Sequence, residues 1–310
     1  MTRSTTTSTR RPPAARLVAR LVAAGRLLTL RAGVRVLERV APREAGARAF
    51  ALWCRLPAGA GLTKDFRPAP GAIVRLPAPR GGQVVAEVWG QGPTVYLVHG
   101  WGGWRGQLGA FVQPLVDAGY CVVACDAPSH GESDPGVLGA GSGTAIEAIE
   151  ALDVVGREFG DAAGVVAHSM GCAVAAMVVR TSLRADSLVL VAPNHDFDEI
   201  TAQFTQALGL SQRTRALLHA TVEGFVHRPL GDFDLVPLGA DGALPPTLIL
   251  HDRQDKETPY RVGEALAVAW PRTTLVSSDG LGHQRILTDA ATVAHAVGHI
   301  TGRVGATTGA

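Results

Sequence analysis

The sequence predicts an α/β fold with a mostly parallel eight-stranded sheet, a small helical cap insertion and an N-terminal helical arm. Short apolar runs alternate with helical segments from residue 94 onward. Strands and helices that alternate in this way form a parallel sheet covered on both faces. The alternation stops between 194 and 243, where two helical segments stand in place of a strand. We interpret this interval as the cap insertion.

The individual strands follow from apolar, β-branched runs bounded by turn residues. A hairpin is predicted where two such runs flank the Pro-Arg-Gly-Gly turn at residues 79–82. The eight strands are predicted at 72–76, 84–89, 94–98, 120–125, 163–167, 187–192, 247–251 and 273–277. Helices are predicted between and after them, at 105–117, 143–158, 170–181, 260–269 and 289–300.

The chain is predicted to consist of one domain with added segments. Residues 1–13 are rich in Thr, Ser and Arg and are predicted to be a disordered tail, as are residues 302–310. Residues 14–71 are predicted to form a basic helical arm. The α/β domain is expected over 72–301, with the cap insertion at about 194–243.

Positive charge is concentrated in the first 55 residues, which carry twelve arginines and two acids, Glu38 and Glu44, for a net charge of +10. The whole chain has a net charge of +2, so the remainder carries −8. We therefore expect no nucleic-acid partner for the α/β domain. Arg31, Arg35 and Arg39 form a stripe at i, i+4 spacing, which is either a solvated face of the arm or a weak contact with an anionic membrane surface.

The composition predicts no cofactor, no metal and a cytoplasmic location. The four cysteines form no metal-binding pattern and are expected to be free thiols of a reducing compartment. No stretch of 18 apolar residues is present, and arginines interrupt the early apolar segments that an export signal would need. The oligomeric state cannot be predicted from these features.

Chemically suggestive motifs follow several predicted strands, and active sites of open α/β sheets form at the carboxyl ends of strands. Ala-His-Ser-Met-Gly at 167–171 lies where a strand turns sharply into a helix. His-Gly-Trp-Gly-Gly at 99–103 follows another strand, and Asp-Ala-Pro-Ser-His-Gly-Glu-Ser at 126–133 follows the next. Asp255 comes shortly after the strand at 247–251, and His283 comes after the last strand.

These motifs, in this order, resemble the α/β-hydrolase superfamily over roughly residues 72–300. The resemblance implies that Ser169 is a nucleophile, His283 its general base and Asp255 the acid that orients the base. It also implies an oxyanion hole made by the backbone N–H groups of Trp101 and Met170. The segment at 126–133 is expected to brace a loop.

The identity of the acid has alternatives. Asp252 lies three residues before Asp255, at a position where the family usually has glycine. Asp196 follows the strand at 187–192, where some relatives carry the acid. The spacing of the turn favours Asp255 over both.

Within the family that the chain resembles, a serine at the sharp turn implies hydrolysis of an ester, a thioester or an amide, or acyl transfer. We predict hydrolysis of a small-molecule carboxylic ester through an acyl-enzyme intermediate. Apolar residues at helical spacing in the insertion favour an apolar acyl or alcohol group. A thioesterase or an acyltransferase would use the same triad, and a ligand-binding protein without turnover is a third interpretation. The natural substrate cannot be predicted from these residues.

Overall fold

The computed structural model describes residues 13–57, 64–194 and 196–302 of the chain. The tails predicted at 1–13 and 302–310 lie, except for Pro13 and Gly302, outside the described residues. The eight strands are β1 Ala72–Pro77, β2 Gln83–Trp89, β3 Thr94–Val98, β4 Cys121–Cys125, β5 Ala162–His168, β6 Leu188–Val191, β7 Thr247–Asp252 and β8 Thr273–Ser278. All eight lie at or near the predicted positions.

The strands form one sheet in the order β1-β2-β4-β3-β5-β6-β7-β8. The pairings of β1 with β2 and of β2 with β4 are antiparallel, and the other five pairings are parallel. The predicted fold class, a mostly parallel eight-stranded sheet with helices, is therefore confirmed. The carboxyl ends of β3, β5, β6, β7 and β8 lie along one edge, where the motifs occur.

The helices are α1 Pro13–Val40, α2 Pro42–Trp53, α3 Val112–Asp117, α4 Ala145–Phe159, α5 Met170–Thr181, α6 Phe197–Leu208, α7 Gln212–Val226, α8 Leu235–Gly239, α9 Arg261–Ala269, α10 Gly282–Arg285 and α11 Ala290–Ile300. Short 3₁₀ turns occur at Arg105–Phe111, Leu230–Phe233 and Ile286–Thr288. Among the helices that the structure describes, none is long and apolar enough to cross a membrane.

The sheet is buried on both faces because its strands alternate side chains between two apolar clusters. In β3, Tyr96 and Val98 contribute to one cluster, while Val95 and Leu97 contribute to the other. Every residue of β3 is buried. Burial on both faces explains why the sequences of the central strands are continuous apolar runs. The polar motifs follow these runs, at the ends of the strands.

Helices α1 and α2 form a compact unit with residues 198–225 of the insertion. The Phe50 and Phe225 rings pack with centroids 5.2 Å apart. The Nε of Arg31 donates to the carbonyl oxygen of Leu208 at 2.7 Å, and the buried Glu38 carboxylate accepts hydrogen bonds from the insertion. Arg31, the first arginine of the predicted stripe, is therefore engaged inside this unit.

The second unit holds the sheet and begins at Cys54. Helix α2 ends at Trp53, so the helical arm predicted over 14–71 extends less far than expected. The described residues after Trp53 make contacts typical of the sheet domain. The Leu56 N–H, for example, donates to the Gly141 carbonyl oxygen at 2.9 Å, and the Gly143 N–H donates to the Cys54 carbonyl oxygen at 2.9 Å.

Candidate active site

Ser169 lies at a sharp turn between β5 and α5, with φ 54° and ψ −123°. A positive φ is sterically unfavourable for a residue with a Cβ, and such strain is of the order of 1–3 kcal/mol. Ala167 is fully buried, and a Cβ at Gly171 would lie 2.5 Å from the His99 carbonyl oxygen. The turn therefore requires the small residues that the sequence supplies on both sides of the serine.

The glycine-rich loop after β3 packs directly on this turn. A Cβ at Gly100 would lie 2.9 Å from the Cβ of Ser169, so only glycine permits this approach. Met170 is the first residue of α5. The first N–H groups of a helix have no acceptor within it, which leaves the Met170 N–H beside the serine free of intrahelical bonding.

One backbone N–H of the same loop has no acceptor among the described residues. The Gly102 N–H donates to Nε2 of His130 at 3.1 Å, and the Gly103 N–H donates to the Gly100 carbonyl oxygen at 3.0 Å. Among the described residues, the Trp101 N–H between them has no acceptor. Trp101 and Met170 thus offer backbone donors of the kind that an oxyanion hole uses.

A buried arginine that the sequence analysis did not select anchors the loop. Arg105 is 1% exposed, its N–H donates to Asp126 Oδ1 at 2.7 Å, and its Nε donates to Glu87 Oε2 at 2.6 Å. Its guanidinium also pairs with Asp126 and Glu132. The segment at 126–133 therefore braces the loop through Arg105. The signal in the sequence was one arginine next to an otherwise apolar helical segment.

On the other side of the site, the predicted base and acid are joined by a buried hydrogen bond. Nδ1 of His283 donates to Oδ2 of Asp255 at 2.8 Å, and the two side chains are 4% and 0% exposed. Burial alone would raise the pKa of Asp255, but the nearby His251 ring and the hydrogen bond from the His283 ring hold that pKa far below its ordinary value. Asp255 is therefore an ionised carboxylate, and Nε2 of His283 is left to accept a proton.

Asp252 makes different contacts from Asp255. Its carboxylate accepts a hydrogen bond from the Ser278 hydroxyl at 2.8 Å and another, at 2.9 Å, from a backbone amide in the loop before His283. These bonds hold the loop that carries the base. The orienting acid must bond to Nδ1 of His283, and Asp255 makes that bond. Neither Asp252 nor Asp196 does so.

Thr258 and His251 complete a network around the acid, and the sequence analysis selected neither. The Thr258 hydroxyl lies 3.0 Å from Asp255 Oδ2, 3.2 Å from His283 Nδ1 and 3.3 Å from the Ala192 carbonyl oxygen. Nε2 of His251 donates to the Thr258 carbonyl oxygen at 3.0 Å and lies 3.6 Å from Asp255 Oδ2. The Thr258 hydroxyl therefore lies beside the hydrogen bond between Asp255 and His283, and His251 holds the Thr258 backbone.

His168, directly before Ser169, connects the two sides of the site. Its Nε2 donates to the His283 carbonyl oxygen at 3.0 Å, and the two rings have centroids 4.7 Å apart. Burial lowers the pKa of His168 to about 3, with a smaller contribution from the nearby His283. His168 is therefore neutral at physiological pH. Among the described residues, no hydrogen bond joins the Ser169 hydroxyl to the His283 ring; the His168 bond instead ties the residue before Ser169 to the His283 backbone.

The composition of the site also bears on metals. Among the described residues, no group of three or more His, Cys, Asp or Glu side chains is arranged to hold a metal ion. All four cysteines are free thiols. The site offers a serine, a paired histidine and carboxylate, and backbone donors, which together are the groups that acyl transfer to a serine requires.

Comparison with known proteins supports this description of the fold. Residues 95–296 match the profile of the Alpha/beta hydrolase family. Similar solved structures include a hydrolase from Pseudomonas aeruginosa PA01, with a TM-score of 0.58, 19% identity and coverage of 75% of this chain and 99% of that one. An esterase from Exiguobacterium antarcticum has a TM-score of 0.55, 18% identity and coverage of 74% and 99%. The thioesterase domain from the curacin biosynthetic pathway has a TM-score of 0.54, 19% identity and coverage of 74% and 98%.

One curated relative is similar in sequence as well. It is the dihydrolipoyllysine-residue acetyltransferase component of the acetoin cleaving system of Cupriavidus necator, which is 36% identical over 134 residues. That match covers 43% of this chain and 35% of the relative, so the chain corresponds to about a third of that protein's length.

Proposed function

Because the chain belongs to the alpha/beta hydrolase family, we propose that it hydrolyses a carboxylic ester through an acyl-enzyme formed on Ser169. The observation that carries this proposal is the strained backbone of Ser169, with φ 54°, at a turn whose neighbours are too close for any larger residue. A strained turn of this kind persists only where the surroundings hold it, and such turns are concentrated at active sites. A serine held in this way is presented as a nucleophile.

In the proposed acylation, the Ser169 oxygen attacks the ester carbonyl carbon while Nε2 of His283 accepts the hydroxyl proton. The carbonyl oxygen gains the negative charge, and the N–H groups of Trp101 and Met170 stabilise it. The bond between the carbonyl carbon and the alcohol oxygen then breaks. His283 returns its proton to that oxygen, so the alcohol leaves neutral and the acyl group stays on the serine.

Deacylation repeats these steps with water as the nucleophile. His283 accepts a proton from water, the resulting hydroxide oxygen bonds to the acyl carbon, and the bond to the Ser169 oxygen breaks. The proton on His283 goes to the Ser169 oxygen, which restores the hydroxyl and releases the carboxylic acid. The ionised Asp255 stabilises the imidazolium in both halves.

Two features support the substrate assignment beyond the triad. Esterases occur among the similar structures, and the half-buried indole of Trp101 lies in the loop beside Ser169, where it offers apolar surface to an acyl or alcohol group. A thioesterase domain and an acetyltransferase component also occur among the relatives. Thioester cleavage or acyl transfer would use the same three side chains, with a sulfur leaving group or an alcohol in place of water.

A panel of p-nitrophenyl esters of increasing acyl length, with matched thioesters, tests the proposal. We expect ester hydrolysis by the wild type, a trapped acyl group on the Ser169 peptide in mass spectra, and loss of both in Ser169→Ala. Faster turnover of thioesters, or ester formation with an added alcohol, would favour the alternatives. No turnover and no acyl adduct with any member of the panel would contradict the proposal and favour a binding protein.

A further inference from the structure

One carboxylate faces the catalytic nitrogen of the base from outside the triad. Oε2 of Glu257 lies 3.8 Å from Nε2 of His283. Because Nδ1 of His283 is bonded to Asp255, Nε2 is the nitrogen that gives a proton to the leaving alcohol. The Glu257 side chain is 61% exposed, whereas the His283 side chain is 4% exposed. The carboxylate therefore lies where solvent meets the base.

The backbone of Glu257 is held by the hydrogen bonds around Asp255. Its backbone N–H donates to Oδ1 of Asp255 at 2.8 Å, and the following residue, Thr258, is bonded to Asp255 and His283 through its hydroxyl. The backbone of Glu257 is therefore tied to the same carboxylate that orients the base. This keeps Nε2 of His283 within reach of the Glu257 carboxylate, although the side chain itself is largely in solvent.

Lys256, the cation next to Glu257 in the sequence, is exposed and does not lie within ion-pair distance of it among the described residues. Two other cations near the site have contacts of their own. The Arg253 guanidinium lies over the Tyr260 ring, 4.8 Å from its centroid, and Nζ of Lys64 donates to Oε1 of Gln284 at 3.4 Å. Within the part of the chain that the structure describes, His283 is the only basic side chain within ion-pair distance of Glu257. Its negative charge is therefore available to a substrate.

We propose that Glu257 selects the leaving group and that the preferred substrates are esters of cationic alcohols, such as alcohols with an ammonium group. The inference rests on the proposed function, because it requires the alcohol oxygen to come within about 3 Å of Nε2 of His283. The first atoms of the alcohol then lie only a few ångströms from the Glu257 carboxylate. A positive group there is attracted, and a phosphate-bearing alcohol or thiol is repelled.

The expected size of the preference follows from the exposure of Glu257. Charge pairs in contact with solvent contribute modestly, and we expect about a twofold to fivefold effect on kcat/KM. The effect should shrink as salt is added, because the charges are screened over about 10 Å at 0.1 M ionic strength. An anionic leaving group should be disfavoured by a similar factor.

The test compares two esters with the same acyl group: the choline ester and its uncharged isostere, in which carbon replaces the ammonium nitrogen. The ratio of kcat/KM for the charged ester to that for the neutral ester is measured for the wild type and Glu257→Gln. We expect the ratio to fall about twofold to fivefold in Glu257→Gln. It should also drop below the Gln value in Glu257→Lys.

Glu264→Gln is the matched control, because Glu264 is another exposed glutamate of the same region, on α9. Its ratio should equal that of the wild type. An unchanged ratio in Glu257→Gln, with the neutral ester still hydrolysed, would overturn the inference and leave the proposed function intact. If the wild type hydrolyses neither ester, the proposed function and the inference both fail.

Discussion

The two sides of the candidate site are held in place by different physical means. On the nucleophile side, the backbone does the positioning: Ser169 has φ 54°, and the approach of the neighbouring loop leaves no room for a Cβ at Gly100 or Gly171. On the base side, side-chain hydrogen bonds do it, with Asp255 and Thr258 both within 3.2 Å of Nδ1 of His283. Steric contacts therefore position Ser169, and hydrogen bonds between side chains position His283.

This difference determines how each half should respond to mutation. Removing one member of a buried polar network leaves its partners unsatisfied, which costs about 1–3 kcal/mol, but it adds no atoms that would displace the backbone. A close steric contact cannot accommodate added atoms without moving backbone. Changes on the base side should therefore reduce activity more than stability, and changes on the nucleophile side should reduce both.

The largest effect is expected from Asp255→Asn. An amide cannot stabilise the imidazolium or hold Nδ1–H in the correct tautomer, so kcat for an ester should fall about ten-thousandfold. The melting temperature should fall as well, because the hydrogen-bond partners of the buried Asp255 lose an ionised acceptor, but the loss of stability should be smaller in free energy than the loss of activity. The measurement is steady-state hydrolysis together with a melting curve followed by circular dichroism.

Asp252→Asn is the control for that variant, because Asp252 braces the loop without contacting the base. We expect it to lower stability by about 1–3 kcal/mol, as a buried hydrogen-bond acceptor is impaired, and to reduce kcat far less than Asp255→Asn. A larger loss of kcat in Asp252→Asn than in Asp255→Asn would contradict the assignment of the acid.

Gly171→Ala should give the next largest effect. The added methyl would lie 2.5 Å from the His99 carbonyl oxygen and 2.7 Å from that of Val98, both of which are backbone atoms. We expect the free energy of unfolding to fall by about 3 kcal/mol and ester hydrolysis to fall with it. Urea unfolding measures the first quantity.

Gly224→Ala provides the comparison, since a Cβ at Gly224 in α7 would meet nothing within 4 Å. This substitution should raise the free energy of unfolding by about 0.5 kcal/mol, because alanine favours a helix. If Gly171→Ala is as stable as the wild type, the steric description of the nucleophile side is wrong.

The smallest effect is a pH dependence caused by His168, which links the two sides. The pKa of His168 is lowered from 6.5 to about 3 by burial, so the unfolded chain binds a proton that the folded protein does not. The stability that His168 contributes is complete above pH 6.5 and is lost as the pH falls from 6.5 toward 3. In that window the slope approaches about 1.4 kcal/mol per pH unit.

His168→Gln should remove this dependence, because glutamine does not titrate but can still donate to the His283 carbonyl oxygen. Between pH 7 and pH 5, the stability of the wild type relative to the variant should fall by about 2 kcal/mol. Urea unfolding at the two pH values measures it. A constant difference would show that His168 is protonated in the folded protein or exposed to water.

The nucleophile could be predicted from the sequence because the close steric contacts around Ser169 restrict which residues can flank it. A strained turn accepts only small residues around the serine, so Ala167 and Gly171 mark it in a short motif. The polar network is different, because many threonines and histidines could form such bonds. Thr258 and His251 therefore carried no distinguishing signal. Arg105 was marked only as one arginine beside an apolar helical segment, because its role depends on partners 18 and 21 residues away in the chain.

The strands of the fold could be predicted from the sequence, but the packing of the N-terminal helices could not. The eight strands could be located because strands buried on both faces are continuous apolar runs. The association of helices α1 and α2 with the insertion could not, because it depends on contacts such as Arg31 with Leu208 that are 177 residues apart. Local periodicity identifies a helix but does not identify its partner.

Labelling with a fluorophosphonate probe shows whether Ser169 is an activated nucleophile. We expect one covalent adduct per chain, located on the Ser169 peptide, absent in Ser169→Ala and formed much more slowly in Asp255→Asn. An unlabelled wild type, or labelling that persists in Ser169→Ala, would contradict the assignment of Ser169 as the nucleophile.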